Sequence, residues 1–188
     1  MRTGHWFITY TGTQFFLTDP HPDDVLVEDI AHALSMVCRF GGHTQVFYSV
    51  AQHSDLCREL VARWHPKNYT LQLHALLHDA SEAYLGDIVR PLKVTMADYQ
   101  RYEEQMMTVI YDSLGLSEPT AKDHGVIKKA DNMLLMTERR DLINHRGIPW
   151  MITERPVRKH IRVMSSANAE AVFLASYRNL RLKVASTS

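Results

Sequence analysis

The sequence predicts a mainly α-helical chain with a short N-terminal β-hairpin, and three observations carry that prediction. Apolar residues recur at helical spacing through residues 28–38, 48–64, 97–114, 123–144 and 166–182. Aromatic and β-branched residues crowd residues 5–17, and Thr11-Gly12-Thr13 divides them into two short strands. No repeat, low-complexity tract or linker interrupts the 188 residues, so 1–188 reads as one domain. A chain of this size can bury about 70% of its unfolded surface.

In chain order, Asp19-Pro20-His21-Pro22 is a turn that ends the hairpin. The helix over 28–38 carries Ile30, Ala31, Leu34, Val37 and Cys38, and Arg39-Phe40-Gly41-Gly42-His43 stops it on glycines. The helix over 48–64 has an apolar stripe of Val50, Leu56, Cys57, Leu60 and Val61, and His53 falls on that stripe. A lone histidine there is more often a satisfied core residue than a ligand. The stretch from His74 to Asp87 reads as a buried helix that places His78, Asp79 and Glu82 in apolar surroundings, with Asp87 just beyond its end. Residues four apart share a helix face, so His78 and Glu82 are expected to point the same way. The bland alternative is a solvated helix end with a His–carboxylate hydrogen bond.

Residues 88–93 read as irregular, because Pro91 disfavours helix at Arg90. The helix over 97–114 turns Tyr99, Tyr102, Met106, Val109, Ile110 and Leu114 inward and leaves Glu103 and Glu104 on its wet face. The helix over 123–144 sets Ile127, Asp131, Leu134, Leu135 and Glu138 on one stripe, so Asp131 faces the core and needs a partner. Gly147-Ile148-Pro149-Trp150 breaks the chain, a helix over 166–182 closes it, and residues 184–188 are expected to fray.

Composition excludes several classes. Lys plus Arg and Asp plus Glu balance at 21 each, so there is no basic field for long nucleic acid. No apolar run reaches membrane-spanning length and the first residues hold no signal core, which predicts a cytosolic protein. Cys38 and Cys57 lie in apolar segments and read as reduced, buried thiols.

His53, the His78-Asp79 pair and Asp131 are core-facing polar groups on three different helices. Two imidazoles and two carboxylates suit a divalent transition metal with open positions. The order His…His-Asp…Asp resembles the signature of the HD superfamily of metal-dependent phosphohydrolases. The run from Ala31 to Ser54, with Arg39-Phe40-Gly41-Gly42-His43 inside it, is similar to the phage and prophage branch. Relatives there include bacterial 5′-deoxynucleotidases and phage dATP triphosphohydrolases.

The resemblance implies an HD-domain helical bundle with His53, His78, Asp79 and Asp131 as metal ligands, for Zn, Co or Mn, and with Mg arriving on the substrate phosphates. It implies that Glu82 orients or deprotonates the attacking water and that Asp87 assists catalysis. Arg39 matches the phosphate-binding arginine, and Phe40 stands where the deoxynucleotidases carry a Trp against the sugar. His43, Arg90 and Lys93 are further candidates for phosphate, and Lys128 and Lys129 are read first as a solvated face. The expected activity is hydrolysis of a 2′-deoxynucleotide, foremost dATP to deoxyadenosine and triphosphate. The alternatives are a 5′-deoxynucleotidase acting on monophosphates and a nucleotide-binding module without turnover. The expected setting is a homo-oligomer in the cytoplasm (the host's, if phage-encoded), acting on a small molecule and on neither membrane nor long nucleic acid.

Overall fold

The computed structural model describes residues 4–186. It opens with an antiparallel ribbon of β1 (Phe7–Ile8) and β2 (Gln14–Phe15), in which Phe7 faces Phe15 and Ile8 faces Gln14. So short a ribbon is not stable alone. Phe15 anchors it by full burial and by stacking on Tyr84, with ring centroids 4.3 Å apart. Asp29 anchors it a second time, accepting from the Thr11 amide at 2.7 Å and the Thr11 hydroxyl at 2.8 Å.

The helices that follow are α1 (Val27–Met36), α2 (Val50–Trp64), α3 (Tyr69–Leu77), α4 (Glu82–Leu85), α5 (Arg90–Lys93), α6 (Ala97–Ser113), α7 (Ala121–Leu142) and α8 (Ser166–Ala185). The fold is mainly α with a short N-terminal hairpin, as the periodicity predicts. Side chains set the helix starts. Ser49 accepts from the Gln52 amide, Asn68 from Leu71 and Ser165 from Asn168, while Thr120 and Asp123 form a reciprocal capping box. Each such cap contributes about 1 kcal/mol.

α2 is the axis of the fold and packs against α1, α3, α7 and α8. Its first turns give Val50 and Ala51 to a core shared with Ile30, Leu34, Leu76, Ile110 and Phe173. Its later turns give Cys57, Leu60 and Val61 to a second cluster with Leu71, Ala75, Ile127 and Leu134. His53 lies between these two contributions along the helix and is fully buried.

Several expectations need correcting. The helix expected from His74 to just short of Asp87 ends at Leu77, and residues 78–81 form a tight turn before α4. The Ala80 amide donates to Leu77, Glu82 to Asp79 and Ala83 to Ala80, all three residues back. At that pitch residues three apart eclipse, so Asp79 and Glu82 line up in place of His78 and Glu82. Residues 90–93 are a single helical turn, because a proline in the first turn of a helix loses no hydrogen bond. Cys38 lies past the end of α1, half-buried, in a bridge with Ser49, and only Cys57 is buried; both are free thiols. Glu103 is half-buried against Lys93 rather than on a wet face. At the C-terminal end α8 continues through Ala185, and the rest of the expected fraying at 187–188 lies outside the described residues. Among the described residues, no helix is long and apolar enough to cross a membrane.

Candidate metal centre

His53 enters the site from α2, the His78-Asp79 pair from the end of α3, and Asp131 from α7. His78 can reach inward because α3 stops there. Its ring Nδ1 donates to the Ala75 carbonyl at 2.8 Å. A carbonyl has no proton to give, so this bond fixes the proton on Nδ1 and leaves Nε2 as a lone pair. His53 is set the same way. Its Nδ1 lies 2.6 Å from Glu138 Oε1, and Glu138 is completely buried. Burial pushes the Glu138 carboxyl up, but Arg39 and His53 outweigh it and hold the group ionised, below the usual range. A metal-ligating histidine holds its other ring nitrogen in the same manner.

Both Nε2 atoms therefore point lone pairs at one another across 3.3 Å. Asp79 Oδ2 lies 3.3 Å from His78 Nε2 and 3.7 Å from His53 Nε2, and Asp131 Oδ1 lies 3.5 Å from His53 Nε2. One ligand atom each from His53, His78 and Asp79 fits within 4.8 Å. Asp131 stands at the edge of that group, and its other oxygen accepts from Lys128 at 2.7 Å.

Convergent lone pairs need a cation. Without a metal, a proton takes its place. Burial and Arg39 both oppose charge on His53, yet Glu138 and Asp131 raise it to about 9. Asp131 is pushed up by burial, but His53, His78 and Lys128 bring it far below the usual carboxylate range. Asp79 is likewise lowered, by His78, His53 and Arg39 against burial. These residues fit a divalent ion, with His53, His78 and Asp79 as the group best placed to hold it.

The remaining predicted residues surround this group. Arg39 is buried and spans two carboxylates, donating to Asp79 Oδ2 and to Glu138 Oε2 at 3.3 Å each. Phe40 follows it in the left-handed region with φ +57°, and Gly41 and Gly42 continue that turn. The left-handed region costs a non-glycine residue about 1–2 kcal/mol. Asp87 offsets the strain by accepting from the Phe40 amide at 3.1 Å. Asp87, predicted to be catalytic, thus also latches the turn that carries Arg39. Glu82 is buried, and its Oε2 has no hydrogen-bond partner among the described residues. Burial, then the charges of Asp79 and Asp87, raise its carboxyl well above the usual range. Lys93 lies 3.6 Å from Glu82 Oε1 and donates to Glu103. His43 and Arg90 are exposed, and neither is brought into the group by a hydrogen bond or ion pair among the described residues.

Three residues outside the predicted set belong to this neighbourhood. Glu138 orients His53 and Arg39, and its signal was its place on the same helical stripe as Asp131. Trp150 stands 6.1 Å from the Phe40 ring, with the Arg139 guanidinium 5.7 Å from its own ring centre. Glu103 holds Lys93. Spacing in the chain carried no signal for the last two.

Over 146 residues the chain is 42% identical to the uncharacterized protein YfdR of Escherichia coli (strain K12), covering 78% of this chain and 77% of that protein. The chain belongs to the YfdR family. It is also 39% identical over 115 residues to an uncharacterized protein of Rhodobacter capsulatus, covering 59% of each. No family model matches the chain.

Proposed function

We propose that this chain is a metal-dependent phosphohydrolase of the HD superfamily, that it acts on 2′-deoxynucleotides, and that it cleaves the ester between the α-phosphorus and the 5′ oxygen. One observation carries the reading: the His53 and His78 Nε2 lone pairs and Asp79 Oδ2 face one another at 3.3–3.7 Å, with both Nδ1 atoms already engaged. His53, His78, Asp79 and Asp131 would hold the ion. A divalent ion in such a site acidifies water and draws charge from a phosphoryl oxygen.

The chain's own residues do the rest. Glu82, three residues past Asp79 at the start of α4, has a buried, unpartnered oxygen that can accept a proton from water. Positive charge beside Asp79 lowers the Glu82 carboxyl and favours its accepting form. Arg39 offers its guanidinium to phosphate oxygens. The ring of Phe40, with Trp150 beside it, supplies an apolar wall for a sugar lacking its 2′-hydroxyl. An intact acid at 82, buried at a cost, has no purpose in a module that only binds nucleotide.

The length of the phosphate chain separates two readings. Lys93 is engaged by Glu103 and Glu82, and Lys128 by Asp131. With those cations committed, the geometry favours a deoxynucleoside monophosphate. Arg90 is exposed three residues before Lys93 on α5, and a cation there that is unpaired among the described residues favours the triphosphate reading in which dATP gives deoxyadenosine and triphosphate. Incubating the Mn²⁺-loaded chain with dAMP, dATP, AMP and ATP and separating the products decides between them. Deoxyadenosine and inorganic phosphate from dAMP support the first reading. Deoxyadenosine and intact triphosphate from dATP support the second. No release of deoxynucleoside from these or from the corresponding dCMP, dGMP, dTMP, dCTP, dGTP and dTTP would overturn the function.

A further inference from the structure

We propose that Glu138 is the positioning residue of this centre, a single carboxylate that aims His53 at the cation and holds Arg39 so that cation and phosphate anion bind cooperatively. The inference rests on the metal-dependent reading above and adds a residue and a coupling to it.

Glu138 lies on α7, two turns from Asp131, with no exposed surface. Its two oxygens serve two halves of the site. Oε1 accepts from His53 Nδ1 at 2.6 Å, and Oε2 accepts from the Arg39 guanidinium at 3.3 Å. Only a carboxylate can accept at both positions. A glutamine has one acceptor. Its amide group would oppose donor to donor at Arg39, or donate to His53 Nδ1 and move the ring proton to Nε2. A protonated Nε2 cannot ligate a metal.

Arg39 supplies the coupling. Its other terminal nitrogen donates to Asp79 Oδ2, the same oxygen that faces His78 Nε2 at 3.3 Å. A cation bound at that oxygen competes with Arg39 for it and repels the guanidinium. Glu138 keeps Arg39 from leaving, because burying that charge without a partner is costly. The Arg39 Nε is also buried with no hydrogen-bond partner among the described residues. A phosphate oxygen beside the cation gives the freed donors a new acceptor and screens the like charges. Phosphate therefore tightens metal binding, and by linkage the metal tightens phosphate binding equally.

The test is calorimetric titration of the metal-stripped full chain with Mn²⁺, with and without inorganic phosphate. Wild type is expected to bind Mn²⁺ at least about fivefold more tightly with phosphate, the lower end of ordinary coupling. Glu138→Gln is expected to weaken Mn²⁺ binding by about 10–100-fold, the scale for losing the partner of a ligating histidine. Arg39→Gln is expected to bind Mn²⁺ without phosphate at least as tightly as wild type and to show no phosphate effect. Should Glu138→Gln fail to fold by circular dichroism, Arg39→Gln still decides the coupling. Glu138→Gln that is folded and binds Mn²⁺ like wild type, or a phosphate effect that survives in Arg39→Gln, overturns the inference while leaving the metal site standing. No Mn²⁺ binding by wild type overturns both.

Discussion

The inner and outer halves of the site are built by different means. The inner half is His53, His78, Asp79, Asp131 and Glu138, carried by α2, the end of α3 and α7, which pack on one another. Its imidazole tautomers are set by Glu138 and by the Ala75 carbonyl, so the donor atoms converge before any ion arrives. The outer half is Arg39, Phe40, Glu82, Asp87, Arg90 and Lys93. It stands on the strained turn after α1 and on two helices of a single turn each. Two of its cations are already held by carboxylates: Lys93 by Glu103 and Glu82, and Arg39 by Asp79 and Glu138 of the inner half. Under the proposed function, the difference teaches that metal binding is preorganised, whereas substrate must exchange ion pairs to bind.

The largest expected effect breaks chemistry without touching the inner half. Glu82→Gln should retain the metal and lower kcat by about 10²-fold or more, the scale of a positioned acid–base group. Steady-state kinetics with metal content measured on the same sample checks it, and wild-type turnover would remove Glu82 from the reaction.

The next effect probes the inner half alone. In the metal-free chain His53 is raised to about 9, above its ordinary 6.5. Protonated His53 then stabilises the fold fully below pH 6.5, and that stabilisation is lost as pH rises through 9. Thermal melts of the stripped chain should show Tm falling across this window, and saturating Mn²⁺ should flatten the fall, because the ion replaces the proton. A Tm that does not respond to pH in the stripped chain would contradict the assignment.

A smaller effect tests the outer half. Lys93→Met frees Glu103 and removes positive charge near Glu82. If only a longer phosphate chain reaches position 93, KM should rise several-fold for dATP and change little for dAMP. Equal changes for both substrates would make Lys93 a partner of Glu82 alone. The smallest effect is at Phe40. Phe40→Gly relieves a left-handed backbone strain of about 1–2 kcal/mol and gives up the ring contact with Trp150. Stability should move little, while the preference for dAMP over AMP narrows. An unchanged preference would take the ring away from the sugar.

The inner half was largely legible in the chain. Helical periodicity placed His53 and Asp131 on apolar stripes, and a buried polar group on a stripe demands a partner. Glu138 lies on the same stripe as Asp131, but periodicity cannot say that its partners are His53 and Arg39, far away in the chain. The break at His78 was hidden because residues 74–85 have sound helical propensity. What tightens the turn is local hydrogen bonding three residues back, with the His78 ring bound to Ala75. The outer half was less legible. Pro91 disfavours helix at the preceding residue, but it is tolerated in a first turn, and the second effect prevailed. The Lys93–Glu103 pair joins α5 to α6, and no local pattern encodes a contact between elements.

The most direct test of the account is elemental analysis of the purified chain beside Asp79→Ala, each assayed for release of deoxyadenosine from dAMP and dATP. The account predicts close to one transition metal per wild-type chain, and loss of both metal and activity in a folded Asp79→Ala. Deoxyadenosine released at the same rate by metal-free wild type, or by Asp79→Ala, would contradict it.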